Sequence, residues 1–237
     1  MTKLTQAFSG FGKAPLIALF LLLFVPLLVR SDYLLHLIIL FLMWSTIGVS
    51  WNLLGGYAGQ VSFGHAAFFG VGAYTAALFY ENLGVSLWWG FLTGGIAATL
   101  IAIPIGAICF RLRGPYFSLS ILAFAEVLRL LTLQWKSLTK GAVGILVLFP
   151  VLESKAAYYY LILAFVVITV VVLLYILKTR AGFYFVAIRE DEDAAEALGI
   201  FSTRYKIFAL MISAFFTGMI GCFFTNYTTF IDPYIVF

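Results

Sequence analysis

The sequence predicts an all-α, polytopic transmembrane helical bundle, and three observations carry that prediction. Of the 237 residues, 64% are apolar and only 10% are charged, against roughly 45–50% and about 25% in a soluble domain. The apolar residues fall in seven stretches, each close to the ~20 residues a helix needs to cross the hydrocarbon of a bilayer. The Lys and Arg residues lie mostly in the short gaps between those stretches, so the net charge of +4 does not form a basic patch for nucleic acid. This composition excludes an ordinary soluble enzyme, a disordered chain and a nucleic-acid binder.

The first stretch, 14–29, is short enough for a signal peptide. It ends at Val29-Arg30-Ser31-Asp32 without a small-x-small cleavage pattern, and another span follows at once, so it reads as a retained helix. The second, 33–54, runs into a glycine-rich junction. The third, 57–80, is read either as a full crossing or as a segment that is re-entrant or broken by its glycines. The fourth, 85–110, is rich in Gly and Ala. The fifth, 115–133, contains two charges. The sixth, 156–177, is Val- and Leu-rich all round, like a lipid-facing helix, and the seventh, 205–231, mixes Phe with small residues. Cys109 and Cys222 lie inside apolar stretches without metal-type spacing, as buried small hydrophobes do.

Seven crossings with the N-terminus in the cytoplasm place Lys3, Lys13, Arg111, Arg113, Lys178, Arg180, Arg189, Arg204 and Lys206 inside. Arg30, Lys136, Lys140 and Lys155 then lie outside, the asymmetry that the positive-inside rule expects. If 57–80 does not cross, every later loop changes side. The chain stops on the apolar run Asp232-Pro233-Tyr234-Ile235-Val236-Phe237. The expectation is a single transmembrane domain over 1–237, incomplete at its C-terminus, with a cytoplasmic loop at 178–206.

Lipid offers no hydrophobic drive between helices, so small residues at i, i+4 spacing mark close backbone contact. Three stretches carry such stripes: Ala58, Ser62, Ala66, Gly70; then Gly90, Gly94, Ala98, Ala102, Gly106; then Ala209, Ser213, Thr217, Gly221, Thr225. These three helices are expected to pack together.

Polar groups at membrane depth are costly and default to functional hypotheses. The run Gly55-Gly56-Tyr57-Ala58-Gly59-Gln60-Val61-Ser62-Phe63-Gly64-His65 holds four glycines within 55–64. Irregular backbone in a membrane survives only where it is buried in protein or lines a wet cavity. Gly59, Gln60, Ser62 and His65 are therefore candidates for a translocation pathway, with a hydrogen-bonded core role for His65 as the other reading. Glu126 and Arg129 are three apart near the middle of 115–133, so they share a helix face. They read as a recognition or gating pair, or as a self-neutralised structural one. His36, near a span end, is assigned no role.

Ten of the 24 charged residues lie between Lys178 and Lys206. The acids Glu190, Asp191, Glu192 and Asp193 precede Ala194-Ala195-Glu196-Ala197-Leu198 and then Gly199. Carboxylates at the start, alanines in the body and glycine at the end predict a short surface helix over 189–200. Positions 191, 194, 195 and 198 would share one face, fit for a groove on a partner.

Asp193-Ala194-Ala195-Glu196-Ala197-Leu198-Gly199 resembles the Glu-Ala-Ala, three residues, Gly motif of ABC importer permeases, with Asp193 where Glu is usual. Gly56-Tyr57-Ala58-Gly59-Gln60-Val61-Ser62-Phe63-Gly64-His65-Ala66 resembles the early glycine-rich signature of the branched-chain amino acid permeases within that group. Arg111-Leu112-Arg113-Gly114-Pro115-Tyr116-Phe117-Ser118, with Leu122-Ala123-Phe124-Ala125-Glu126, resembles their central one. A weaker trace is Leu138-Thr139-Lys140-Gly141, where the family tends to Thr-Gly-Gly and Lys140 departs from it.

The resemblance implies the fold of an ABC importer permease in the bacterial inner membrane. It implies a second homologous permease subunit, two cytoplasmic ATPase subunits and an extracytoplasmic substrate-binding protein as partners, with leucine, isoleucine and valine as substrates. Arg189, Glu190, Asp191, Glu192, Asp193, Ala194, Ala195 and Gly199 would couple the chain to its ATPases. Gly59, Gln60, Ser62, His65, Tyr116, Glu126 and Arg129 would belong to the pathway. The chain has no Gly-x-x-x-x-Gly-Lys-Ser/Thr phosphate loop, so ATP and Mg would be used by partner subunits and no cofactor is expected here. Two other readings stand beside this one: a permease of the same type for urea, an amide, a sugar or another amino acid, and an ion-coupled transporter using Glu126, Arg129 and His65 as a relay.

Overall fold

The computed structural model describes residues 14–29, 31–84, 86–147, 152 and 154–237. Lys3, Lys13 and Arg30 of the charge count lie outside the described residues.

The described residues form seven long helices joined by short ones. Helix α1 (Ala14–Leu28) precedes α2 (Asp32–Asn52), which has Asp32 in its first turn, where a carboxylate suits the helix dipole. Then α2 runs without a break into a π turn, Leu53–Tyr57. Helix α3 (His65–Leu83) closes on Gly84 in the left-handed conformation, the usual helix stop. In α4 (Leu87–Cys109) the Ser86 side chain caps the N-terminus, and α5 (Pro115–Gln134) has its proline at the first position. After the short α6 (Lys136–Thr139) come α7 (Lys155–Leu177), capped by Ser154, α8 (Arg180–Glu190) and α9 (Glu192–Ala197). The chain ends with α10 (Ser202–Thr228) and α11 (Pro233–Val236). Strands β1 (Ile145–Leu146) and β2 (Phe230–Ile231) pair antiparallel, Ile145 opposite Ile231.

Polar contacts sort the connections into two ends. Lys155 pairs with Asp32 at 3.6 Å, Lys140 with Glu81, and His36 Nδ1 with the Tyr227 hydroxyl at 2.5 Å. These gather the starts of α2 and α7, the ends of α3 and α10, and β1–β2 at one end. At the other, Arg113 pairs with Asp193 at 2.7 Å, and Arg189 Nη1 donates to the Gly56 carbonyl at 3.0 Å. That end gathers the ends of α2 and α4, the start of α5, and the whole of 178–201. Successive long helices therefore run in opposite directions.

Five of the described helices are long and apolar enough to cross a membrane: Asp32–Tyr57, Trp88–Cys109, Pro115–Gln134, Lys155–Leu177 and Ser202–Thr228. Of the seven expected spans, these five meet that length and apolarity among the described residues. Helix α1 has only 15 residues, about 22 Å, and α3 is diluted by His65 and by Tyr80-Glu81-Asn82. The expected helix over 57–80 begins only at His65; residues 58–64 are not helical.

The core of the bundle is a three-helix contact among α3, α4 and α10. At its centre Gly72, Gly94 and Gly218 bring three backbones together. A methyl on Gly94 would stand 3.0 Å from the Gly72 carbonyl oxygen, and one on Gly218 would stand 2.7 Å from that of Gly94. The expected stripes on α4 and α10 are buried at Ala98, Ala102, Ala209, Ser213, Thr217 and Thr225. The expected stripe on α3 is not the contact face. Ala58 and Ser62 precede the helix, Ala66 is exposed and Gly70 abuts the Phe237 ring, so Phe69, Gly72, Ala73 and Ala76 take that place. A helix that starts at His65 cannot continue a periodicity counted from residue 58. Helix α7 packs against α2, and its Tyr159 and Tyr160 hydroxyls donate to the Leu22 and Leu23 carbonyls of α1 at 2.6 and 3.2 Å. Both cysteines are buried, Cys109 at the end of α4 and Cys222 within α10.

Candidate functional site

The segment between the π turn and α3 dips into the bundle. It leaves the end near Arg189 and reaches His65, whose Nε2 lies 2.7 Å from Ser213 Oγ. Ser213 is eleven residues into α10, about 16 Å along its axis. Non-helical backbone at such depth needs partners for its polar groups, and side chains supply them. Trp51 Nε1 donates to the Ser62 carbonyl at 2.8 Å, and the Ser118 hydroxyl donates to the Val61 carbonyl at 2.6 Å. The Ala58 and Gln60 amides donate back to the Leu53 and Leu54 carbonyls. Two glycines fit here for different reasons. Gly59 has φ +70°, a conformation side chains disfavour, whereas a methyl on Gly64 would stand 2.5 Å from the Ile121 carbonyl oxygen.

His65 closes a buried polar network. Its Nδ1 lies 2.9 Å from Ser62 Oγ, and the Ser213 hydroxyl donates to the Ser50 carbonyl at 2.8 Å. With that donation fixed, Ser213 Oγ accepts from His65 Nε2–H, and Nδ1 accepts from Ser62, which assigns the neutral imidazole tautomer by satisfaction of the network. Ser50 Oγ meets Thr217 Oγ1 at 3.2 Å. The structure thus buries His65 and Ser62 within this network, away from the bundle surface.

Gly59, Gln60, Val61 and Phe63 face outward instead. With Gly114, Pro115, Ser118 and Leu119 they line a groove of about 480 Å³ between the segment and the first turns of α5. Tyr116 is exposed beside it. Further along α5, Arg129 binds Glu126 through two hydrogen bonds, Nε to Oε2 at 2.9 Å and Nη2 to Oε1 at 2.5 Å. The pair is not sequestered, since the Glu126 side chain is 53% exposed on the bundle surface. The Arg129 guanidinium also lies 5.4 Å from the Tyr234 ring centre, a cation–π distance. The Glu126–Arg129 pair sits on an outer face of α5, whereas the His65 imidazole lies inside the bundle.

At the same end as Arg113, residues 178–201 form two helices where one was expected over 189–200. The break is at Asp191, extended at φ −157°, whose carboxylate accepts from the Ala194 amide at 3.0 Å and caps α9. Arg189 and Glu190 close α8 instead. The glycine stop is where the composition put it. Gly199 has φ +83°, and a methyl there would meet only open space, so its backbone conformation, not its size, is what matters. The expected single face of 191, 194, 195 and 198 is divided. Ala195 is buried, whereas Leu198 is 83% exposed and Phe201 beyond it 65% exposed. Helix α9 is clamped from two sides. Lys206 Nζ, in a side chain only 1% exposed, lies 2.6 Å from Glu192, and Ser202 donates to Glu196. On the outer side Arg113 pairs with Asp193, a hydrogen bond that raises the guanidinium above its ordinary range.

Several residues in this arrangement have no signal in the sequence. Trp51 is one of many aromatics, and Lys206 has the appearance of a loop charge. Ser213 is visible only as a member of a small-residue stripe. Tyr234 reaches Arg129 through a fold that brings α11 against α5.

A family model described as the branched-chain amino acid transport system permease component matches residues 33–237. The high-affinity branched-chain amino acid transport system permease proteins LivM of Salmonella typhimurium LT2 and of Escherichia coli K12 are each 29% identical to the chain, over 79% of its length and 51% of theirs. The chain spans about half the length of these curated relatives. No solved structure matches it.

Proposed function

The chain belongs to the branched-chain amino acid transport system permease family, and on that footing we propose that it is the membrane subunit of an ATP-driven importer of leucine, isoleucine and valine. The pathway runs past the groove of Gly59, Gln60 and Phe63 and along the exposed face of α5 with Tyr116, Glu126 and Arg129. The end carrying 178–201 faces the cytoplasm, where separate ATPase subunits take hold of α9 and its exposed neighbours Leu198 and Phe201. A second homologous permease and an extracytoplasmic substrate-binding protein complete the system.

One observation carries the reading: α9 is anchored on α10 through Lys206 and Ser202, yet is followed by Leu198 and Phe201 facing outward. A solvated connector has no need of a buried Lys206–Glu192 pair beneath it, because such pairs bear a desolvation penalty. Described residues of this end include Arg111, Arg113, Lys178, Arg180, Arg189, Arg204 and Lys206, and those of the other end Lys136, Lys140 and Lys155. That asymmetry supports a cytoplasmic placement. Hydrolysis of ATP falls to the partner subunits, and the chain acts by opening and closing the path.

The test is uptake by vesicles holding the whole system. Leucine, isoleucine and valine should enter only with ATP and the binding protein present, unaffected by an uncoupler. Entry of urea or a sugar in their place would replace the substrate assignment, and collapse of uptake with the uncoupler would replace the ATP-driven mechanism. Maleimide labelling of Leu198→Cys from the cytoplasmic side only would support the orientation, and labelling from the outside would reverse it.

A further inference from the structure

We propose that Arg189 is a positioning residue that transmits movement of α9 to the pathway segment, and does not itself touch an ATPase. The inference rests on the coupling role of α9 given above. Arg189 closes α8, on the side of Asp191 away from α9. Its Nη1 donates at 3.0 Å to the carbonyl of Gly56, one of the last carbonyls of the π turn, which lack partners within their own helix. Its stem is equally engaged. A methyl on Gly59 would stand 2.7 Å from Arg189 Cγ and 3.2 Å from its Cα. The left-handed turn at Gly59 thus rests directly on the α8 backbone.

The contact is backed by packing on one side and tension-bearing bonds on the other. Phe185 and Ile188 of α8 are buried, and Phe185 lies in the same apolar cluster as Leu53, Leu54 and Ala58. Glu190 takes the other guanidinium nitrogens at 3.1 and 2.5 Å, which fixes the fork with Nη1 toward Gly56. A planar fork anchored on two sides is well suited to carry direction as well as force. Beyond Gly59 the segment leads straight to Gln60 and Phe63 in the groove. A push on α9 passes through the extended Asp191 to the end of α8, and from there through Arg189 to the backbone that lines the path.

The measurement is uptake per ATP hydrolysed by the intact importer in vesicles, which counts assembled complexes only and is insensitive to folding yield. Arg189→Ala is expected to lower that ratio about tenfold, within the range of ordinary coupling energies. Gly59→Ala, which forces the same contact apart from the other side, should lower it similarly. Arg189→Lys keeps a donor on a long stem and should restore at least half of the ratio. An unchanged ratio in both Arg189→Ala and Gly59→Ala would overturn the transmission role. A wild-type complex with no ATP-dependent uptake would instead overturn the importer reading beneath it. Equal loss in Arg189→Lys and Arg189→Ala would mean that the contact is not made through the Gly56 carbonyl.

Discussion

Two glycine-rich regions of this bundle solve opposite problems with the same residue. Where α3, α4 and α10 cross, Gly72, Gly94 and Gly218 are helical, and what matters is the missing side chain: three backbones approach until carbonyl oxygens stand where methyls would be. Between Gly55 and Gly64 the chain leaves the helix, and Gly59 supplies a φ of +70°. At the crossing every amide is satisfied within its own helix, so contact is all that has to be built. In the segment the backbone bonds are lent by Trp51, Ser118 and Arg189, while His65 and Ser213 hold its inner end. The difference teaches where rigidity comes from: shape in the first region, and a set of individually replaceable side-chain bonds in the second. A region that moves during transport is better built the second way.

The comparison breaks most visibly at the crossing. Gly218→Leu places a branched side chain against the Ala98 Cβ and the Gly94 carbonyl, with no flexible neighbour to give way. Overpacking ordinarily costs about 1–3 kcal/mol and more where only backbone can yield. The expected result is loss of most monodisperse protein in detergent. Near-normal yield would mean that the three backbones are not in contact.

His65→Ala is the next largest effect, and it acts on the segment. It leaves Ser62 and Ser213 without their shared partner in a buried site, at a cost of about 1–3 kcal/mol for each group left unsatisfied. A lower unfolding temperature is expected, with the joint His65→Ala and Ser213→Ala variant little worse than His65→Ala alone, because the two share one network. Additive losses would separate the residues energetically and count against a shared network.

The stripes on α4 and α10 were legible from spacing, because both lie wholly inside helices that keep their period. The one on 57–80 was not, because four glycines in ten residues announce irregular backbone without saying where it ends. That point is set by tertiary bonds, Ser118 to Val61 and His65 to Ser213, across separations of 57 and 148 residues. The composition of 189–200 placed the stop at Gly199 correctly. It misplaced the start, since Asp191 prefers to cap with its own side chain over continuing a helix. Which face of α9 is free could not be read at all: Ala195 is inward because Lys206 and Ser202, on another element, hold Glu192 and Glu196. The depth of Glu126 followed from its place in the span, but its exposure is a property of which helices pack on α5.

The smallest effect sharpens the contrast within α9 itself. Glu192 meets Lys206 in the interior, while Asp193, one residue on, meets Arg113 in the open, with both side chains more than half exposed. An exposed pair is screened by water and salt and contributes little to stability. Arg113→Ala should therefore lower the unfolding temperature by no more than about 4 °C. That small shift should shrink further in about 0.5 M salt, where the screening length is only about 4 Å. Arg113→Asp, which sets a third acid beside Asp193 and Glu196, should do somewhat worse, and adding Asp193→Arg should recover the difference. Such a pair aligns α9 with the turn between α4 and α5 without fixing it there, leaving Lys206 as the firm anchor and the outer side free to shift. If Arg113→Ala proved as damaging as His65→Ala, α9 would be locked on both sides, and force applied to it would have to move α4 and α5 together with α10.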